Sequence, residues 1–267
     1  TMDTNYIESV WWAFRQLYEK GYLYEGEKIL MYCPRCSTPL AKSEIAMDNS
    51  YKIVKDITVT VKFKLKNEES TYAIAWTTTP WTLSSNLALA INPDLIYTFV
   101  KDNNDRNTYV MAKSLIEKFY KSKDEYTISK EVKGVELEGV EYEPLYPYFK
   151  DTKNAFKFLL ADFVTAEDGT GIVHTAPAFG EDDNAICRKY KIPMVQPVDE
   201  NGKFTDEVKD YAGEFIHDTN EKIVIDLKKS GKAIMSKKMD HEYPFCYRCD
   251  TKLMYRALPA WFVDIQK

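Results

Sequence analysis

The chain has 267 residues, 45% hydrophobic and 29% charged, which suits one large globular domain or a domain with appendages. No apolar run approaches the roughly 20 residues a membrane-spanning helix needs, and no basic-then-apolar leader opens the sequence, so a cytoplasmic location without a membrane partner is expected. With 36 basic residues against 41 acidic ones the net charge is −5, which excludes a protein that grips nucleic acid by bulk charge alone.

In chain order, Tyr6, Ile7, Val10, Trp11, Phe14, Leu17 and Tyr18 recur at helical spacing, with Asp3 or Thr4 as a cap and Gly21 as the stop, so a helix is expected over 4–20. Strands then dominate. Ile57, Val59, Val61, Phe63 and Leu65 alternate strictly, and β-rich runs follow at 72–76, 87–91, 96–100, 109–112, 126–130, 156–160 and 171–175. Helices are expected at 114–120, 181–190 and 220–230, the last ended by Gly231. Many short strands with turn signals between them predict a mainly β, closed or nearly closed barrel-like domain with decorating α-helices.

Two cysteine pairs read alike: Cys33-Pro-Arg-Cys36 near the start and Cys246-Tyr-Arg-Cys249 near the end. Each is a knuckle that supplies two thiolates to a tetrahedral metal, so a structural zinc on all four is expected. Such a site pins the two ends of the chain together, as in a domain inserted into a host through a narrow neck. The expected division is a neck of 1–50 (helix and first knuckle), a β-barrel body of 51–239, and the returning knuckle at 240–267. Cys187 reads as a small buried apolar side chain, and His241 as a reserve ligand close to Cys246.

Two dense stretches carry the polar chemistry: WTTTPWTLSSN from Trp76 to Asn86, and GTGIVHTAPAFGEDD from Gly169 to Asp183. Pro80 ends a strand so that the hydroxyls of Thr77, Thr78 and Thr79 splay around a possible ligand. Gly169 and Gly171 allow a tight turn, His174 ends a strand before Pro177, and Asp182 and Asp183 open a helix. The Gly-x-Ser-x-Gly elbow, the His-Glu-x-x-His helix and the phosphate-cradling Gly-Lys loop are absent from the sequence, so any catalysis here uses positioned polar groups and water.

These two stretches resemble the threonine-rich and His/Asp motifs of the editing domain inserted in isoleucyl-tRNA synthetases, over essentially the whole chain. Thr79-Pro80-Trp81 stands where leucyl and valyl enzymes carry Thr-Arg-Pro. Ser84 replaces the family's proline, and Ala178-Phe179 replaces the Gly-His of many bacterial relatives. The synthetic-site signatures are missing, so no ATP site is expected. The resemblance implies hydrolysis by water of the ester in valyl-tRNA(Ile), with the acceptor end of that tRNA as partner and the host's catalytic domain in cis. One methylene, for which isoleucyl synthetases are the standard example, is worth only roughly 1–3 kcal/mol in a pocket, and a second site must remove the resulting errors.

The roles it implies are a catalytic group of Thr77, Thr78, Thr79, His174 and Asp183. Asp183 pairs with the substrate ammonium, and Thr78 and Thr79 are foremost in holding the ester or the water. His174 limits pocket size or acts as a base. Trp76, Trp81, Thr82, Asn86 and Asp182 contact substrate, with the two tryptophans walling the adenosine. Two alternatives stay open: a zinc-stabilised tRNA-binding module without catalysis, and a deacylase acting in trans.

Overall fold

The computed structural model describes residues 1–46 and 50–265; the parts of the expected neck at 47–49 and 266–267 lie outside the described residues. Helix α1 (Thr4–Glu19) starts where the Asp3 carboxylate accepts the Asn5 N–H at 2.9 Å, and the chain turns out of it at Gly21, whose φ of +71° suits a residue without a Cβ. None of its residues is buried, so its apolar face is open.

Three sheets follow. Strands β1 (Leu23–Cys33) and β2 (Thr38–Leu40) join the last strand, β12 (Met254–Val263), in the order β12-β1-β2, all antiparallel. The helical turn α2 (Lys42–Ile45) leads to a six-stranded sheet. Its members are β3 (Tyr51–Lys64), β4 (Thr71–Thr77), β6 (Ile96–Asp102), β7 (Thr108–Ala112), β8 (Tyr126–Lys133) and β11 (Ala233–Pro244), in the order β11-β3-β4-β7-β6-β8. The third sheet, β10-β5-β9, contains β5 (Ala88–Ile91), β9 (Phe158–Leu160) and β10 (Ile172–Thr175). Helical turn α3 (Ile116–Phe119) and helices α4 (Glu181–Lys189) and α5 (Asn220–Lys229) complete the α-helical elements, and α5 leads into Gly231 at φ +67°. No helix of the described residues is long and apolar enough to cross a membrane.

The main core lies where the six-stranded sheet faces the β10-β5-β9 sheet. Val59, Val61, Phe63, Leu89, Ile91 and Phe158 are buried there, each contributing roughly 1.5–3 kcal/mol by leaving water. A smaller cluster of Ile74, Val100, Tyr109, Met111 and Ile116 fills the opposite side of β4 beneath α3.

The fold is mainly β, as expected, but the barrel does not close. Among the described residues its outer strands β8 and β11 pair on one side only, and both carry charge at the edge: Lys130 and Glu131 on β8, Lys237, Lys238, Asp240 and Glu242 on β11. Charged edges oppose further pairing. β11 also runs unbroken across the expected 239/240 boundary, pairing with β3 from Ala233↔Val61 to Pro244↔Tyr51.

Candidate active site

The threonine run closes β4. Thr77 Oγ1 accepts the N–H of Thr79 at 3.1 Å and lies 3.3 Å from Thr79 Oγ1. The expected splay is therefore corrected: a side-chain-to-backbone turn draws two of the three hydroxyls together. Thr78 lies half-buried between them. Pro80 then starts a tight helical turn, Pro80–Ser85, all of whose residues are buried.

Strand β10 brings the second motif beside this turn. It pairs with β5 so that His174 faces Leu89 and Thr175 faces Ala88. His174 is buried, with Nε2 at 2.9 Å from Thr82 Oγ1 and Nδ1 at 2.9 Å from the Asn86 amide nitrogen. Burial lowers its pKa to about 4, so the imidazole is neutral near pH 7. Thr82 also donates to the Thr79 carbonyl at 2.8 Å, and Asn86 Oδ1 accepts from the Tyr142 hydroxyl at 2.7 Å. Trp81 packs edge-on against Phe179 at 4.6 Å, a second seam between the two motifs.

Asp183 sits in the first turn of α4. Its Oδ2 accepts the N–H of Ala176, two residues beyond His174, at 2.8 Å. Burial pushes its pKa up to about 7; the Ala176 N–H pulls it down and the charge of Asp182 pushes it further up. Asp182 and Asp183 border an open cleft of about 1180 Å³ whose other wall is largely the neck, including Met31, Leu40, Ile45 and Tyr255. A half-charged carboxylate on a cleft wall is suited to receive a cation, which would lower its pKa again.

Not all expected positions converge. Trp81, only 2% exposed, is enclosed by Phe179 and His217, and its backbone N–H is fixed by Asn220 Oδ1 at 3.0 Å, so it offers no open face. Trp76 lines a separate cavity of about 190 Å³ with Thr58, Thr60, Gly169, Met235 and Lys237. Thr82 and Asn86 spend their hydrogen bonds on His174, Tyr142 and the backbone. Tyr142 and Asn220 belong to the site's framework, yet nothing around them in sequence forms a motif.

The four knuckle cysteines do converge. Their sulfurs all lie within 4.8 Å of one another, with Cys33 and Cys249 3.4 Å apart. Zn–S bonds of 2.3 Å in a tetrahedron require sulfurs about 3.8 Å apart, so the donor set fits a metal ion. The Cys36 N–H also donates to Cys33 Sγ at 3.4 Å, the kind of backbone bond that supports a thiolate. His241 is not among them: its Nε2 lies 3.2 Å from Asp56 Oδ2, a carboxylate that Lys252 also grips at 2.8 Å, and this pairing corrects the reserve-ligand expectation. Cys187 is fully buried away from the cluster, and burial raises its thiol to about 12, consistent with an apolar role.

A family model described as tRNA synthetases class I (I, L, M and V) matches residues 1–267, and the chain belongs to that family. Within it the similarity is to isoleucine–tRNA ligases. That of Bdellovibrio bacteriovorus is 48% identical over 270 residues, taking in 100% of this chain and 25% of the relative. Clostridium tetani gives 48% over 263 residues (98% and 25%), and Thermoplasma volcanium 45% over 265 residues (99% and 25%). The chain thus spans about a quarter of the length of these relatives. Among solved structures, the editing domain of P. knowlesi cytosolic leucyl-tRNA synthetase shares the fold at TM-score 0.52 and 12% identity, over 68% of this chain and 97% of that one. Its P. falciparum counterpart gives 0.52 and 12%, over 68% and 99%.

Proposed function

We propose that this chain is the proofreading segment of an isoleucine–tRNA ligase and that it hydrolyses the ester of valyl-tRNA(Ile). The observation that carries this reading is the junction of the two motifs: Thr82, His174 and Asn86 lock together at 2.9 Å while Ala176, just past the end of the same strand, holds Asp183 on the wall of an open cleft. Asp183 anchors the substrate's α-ammonium. The Thr78 and Thr79 hydroxyls hold the attacking water and the ester carbonyl. Water adds to that carbonyl, the bond to the ribose oxygen breaks, and the proton passes to the departing hydroxyl; valine and tRNA result. An ester is activated enough for positioning and hydrogen bonding to suffice.

His174 serves in this scheme as a wall rather than a base, because both ring nitrogens are engaged and the ring is neutral. A zinc ion held by Cys33, Cys36, Cys246 and Cys249 would be structural, since four thiolates would leave it no open position for substrate. The neck (1–50 and 240–267) joins the body (51–239) to the ligase's catalytic domain, which acts in cis in the cytoplasm, and β11 is shared between neck and body.

The test is deacylation of valyl- and isoleucyl-tRNA(Ile) by the ligase that contains this segment. The wild type should hydrolyse the valyl ester selectively, and Asp183→Asn should slow it about 10- to 100-fold, the worth of a hydrogen bond to a charged group. Equal acceptor-end binding by both proteins with hydrolysis by neither would favour a tRNA-binding module instead.

A further inference from the structure

The hydrogen bonds around His174 have a direction that one backbone group determines. The carbonyl of Ala88 can only accept, so the Asn86 atom 2.9 Å from it is the amide nitrogen Nδ2. Asn86 Oδ1 therefore faces Tyr142, whose hydroxyl donates to it at 2.7 Å. The other Nδ2 hydrogen points at His174 Nδ1, 2.9 Å away, which must be the bare acceptor nitrogen. A neutral imidazole then carries its proton on Nε2 and donates to Thr82 Oγ1 at 2.9 Å. The Thr82 hydroxyl hydrogen is left for the Thr79 carbonyl at 2.8 Å. Each donor has its acceptor, and the series runs one way from Tyr142 to the backbone of the threonine turn.

Tyr142 is suited to start such a series. It is fully buried, and its ring is held edge-on by Phe63 at 5.3 Å and Phe156 at 6.0 Å. It lies outside both motifs, in the irregular stretch before β9, and its hydroxyl reaches the site through Asn86.

We propose that Tyr142 and Asn86 are positioning residues that fix His174 as the Nε2–H tautomer and, through Thr82, hold both the imidazole wall and the Thr79 turn; this rests on the deacylase reading above. The imidazole has no free lone pair with which to take a proton from water. Its use is geometric: a wall held at both nitrogens cannot swing aside for one more methylene. Discrimination between valyl and isoleucyl esters is then set partly by a tyrosine that touches neither.

The tautomer can be read by nitrogen-15 NMR of the histidine-labelled chain, with His174 assigned by its loss in His174→Gln. The wild type should show the Nε2–H pattern. Asn86→Asp puts an acceptor opposite Nδ1 and should place a proton there; Tyr142→Phe keeps the ring packing, removes the donor and should mix the two tautomers. In the ligase containing this segment, Tyr142→Phe should lower the valyl-to-isoleucyl deacylation ratio about fivefold to tenfold, the worth of one buried hydrogen bond. An unchanged tautomer in both variants overturns the proposal, and so does a shifted tautomer with an unchanged ratio in an active deacylase. A wild type with the Nε2–H pattern and variants with a shifted tautomer, none of them hydrolysing either ester, uphold the positioning role and remove the deacylase reading instead.

Discussion

Burial disfavours the charged forms of both Asp183 and His174 and so moves their pKa values in opposite directions. Asp183 has a folded pKa of about 7, above the ordinary carboxylate value of 3.8, so its contribution to stability is full below about pH 4 and is lost as pH rises through 7. His174, lowered to about 4 from 6.5, contributes stability that is full above 6.5 and is lost as pH falls through 4. The two slopes oppose each other between pH 4 and 7. Asp183→Asn should remove one of them: relative to wild type it gains roughly 2–4 kcal/mol above pH 7, measured by urea unfolding across that range, while losing activity. Binding of a non-hydrolysable valyl-adenosine amide should tighten as pH rises toward 7 and the carboxylate ionises, then weaken once the ligand's own amine loses its proton near 8. A titration in which affinity is flat from pH 5 to 7.5 would contradict this account of Asp183.

Elements that bury one or both faces were legible from their apolar pattern; those held by distant partners were not. Strands β3 to β7 and β10 lie close to where alternation or short apolar runs placed them, and helices α1, α4 and α5 match within a residue or two. β1, β11 and β12 were invisible as strands. β1 contains Gly26, β12 contains Pro259, and β11 is charged along much of its length. What makes them strands is pairing across the whole sequence, such as Leu23↔Val263, which no local window contains. Pro259 is tolerated because β12 is an edge strand. The site shows the same division. Two motifs exposed Thr77–Thr79, His174 and Asp183, whereas the enclosure of Trp81 and the contribution of Tyr142 depend on tertiary packing. β10 itself depends on Gly171, at φ +73°, where an added Cβ would lie 2.4 Å from the Ala112 Cβ. Gly171→Ala should therefore cost about 2–4 kcal/mol and displace His174, seen as a lower unfolding midpoint together with a changed histidine NMR signal. At the knuckles, one zinc per chain should be measured by atomic absorption. Its removal by a chelator should increase amide hydrogen exchange in β1, β2 and β12 before it does so in β5 and β10.

At the scale of the molecule, the body is well covered and the neck is not. Trp11, Trp12, Tyr18 and Trp261 are more than half exposed, a concentration of aromatic surface that a monomer in water seldom leaves open. On the proposed reading the ligase's catalytic domain covers this surface, so the chain on its own should self-associate. Replacing Trp11 and Trp12 by Gln should make it monomeric in sedimentation while leaving the histidine NMR signals of the body unchanged. The joining of the ends has a further consequence, in time rather than space. Cys33 and Cys249 are 216 positions apart, so at roughly 5–20 residues per second the first knuckle leaves the ribosome about 10–40 s before its partner. Closing that loop directly carries the entropy of its full length. Once β3 and β11 have paired, however, Tyr51 is opposite Pro244 and only short tethers separate the knuckles. Loop entropy thus favours an order in which the body assembles first and delivers the four sulfurs to one another, while the nascent chain carries a pair of thiols that metal and oxidant can reach.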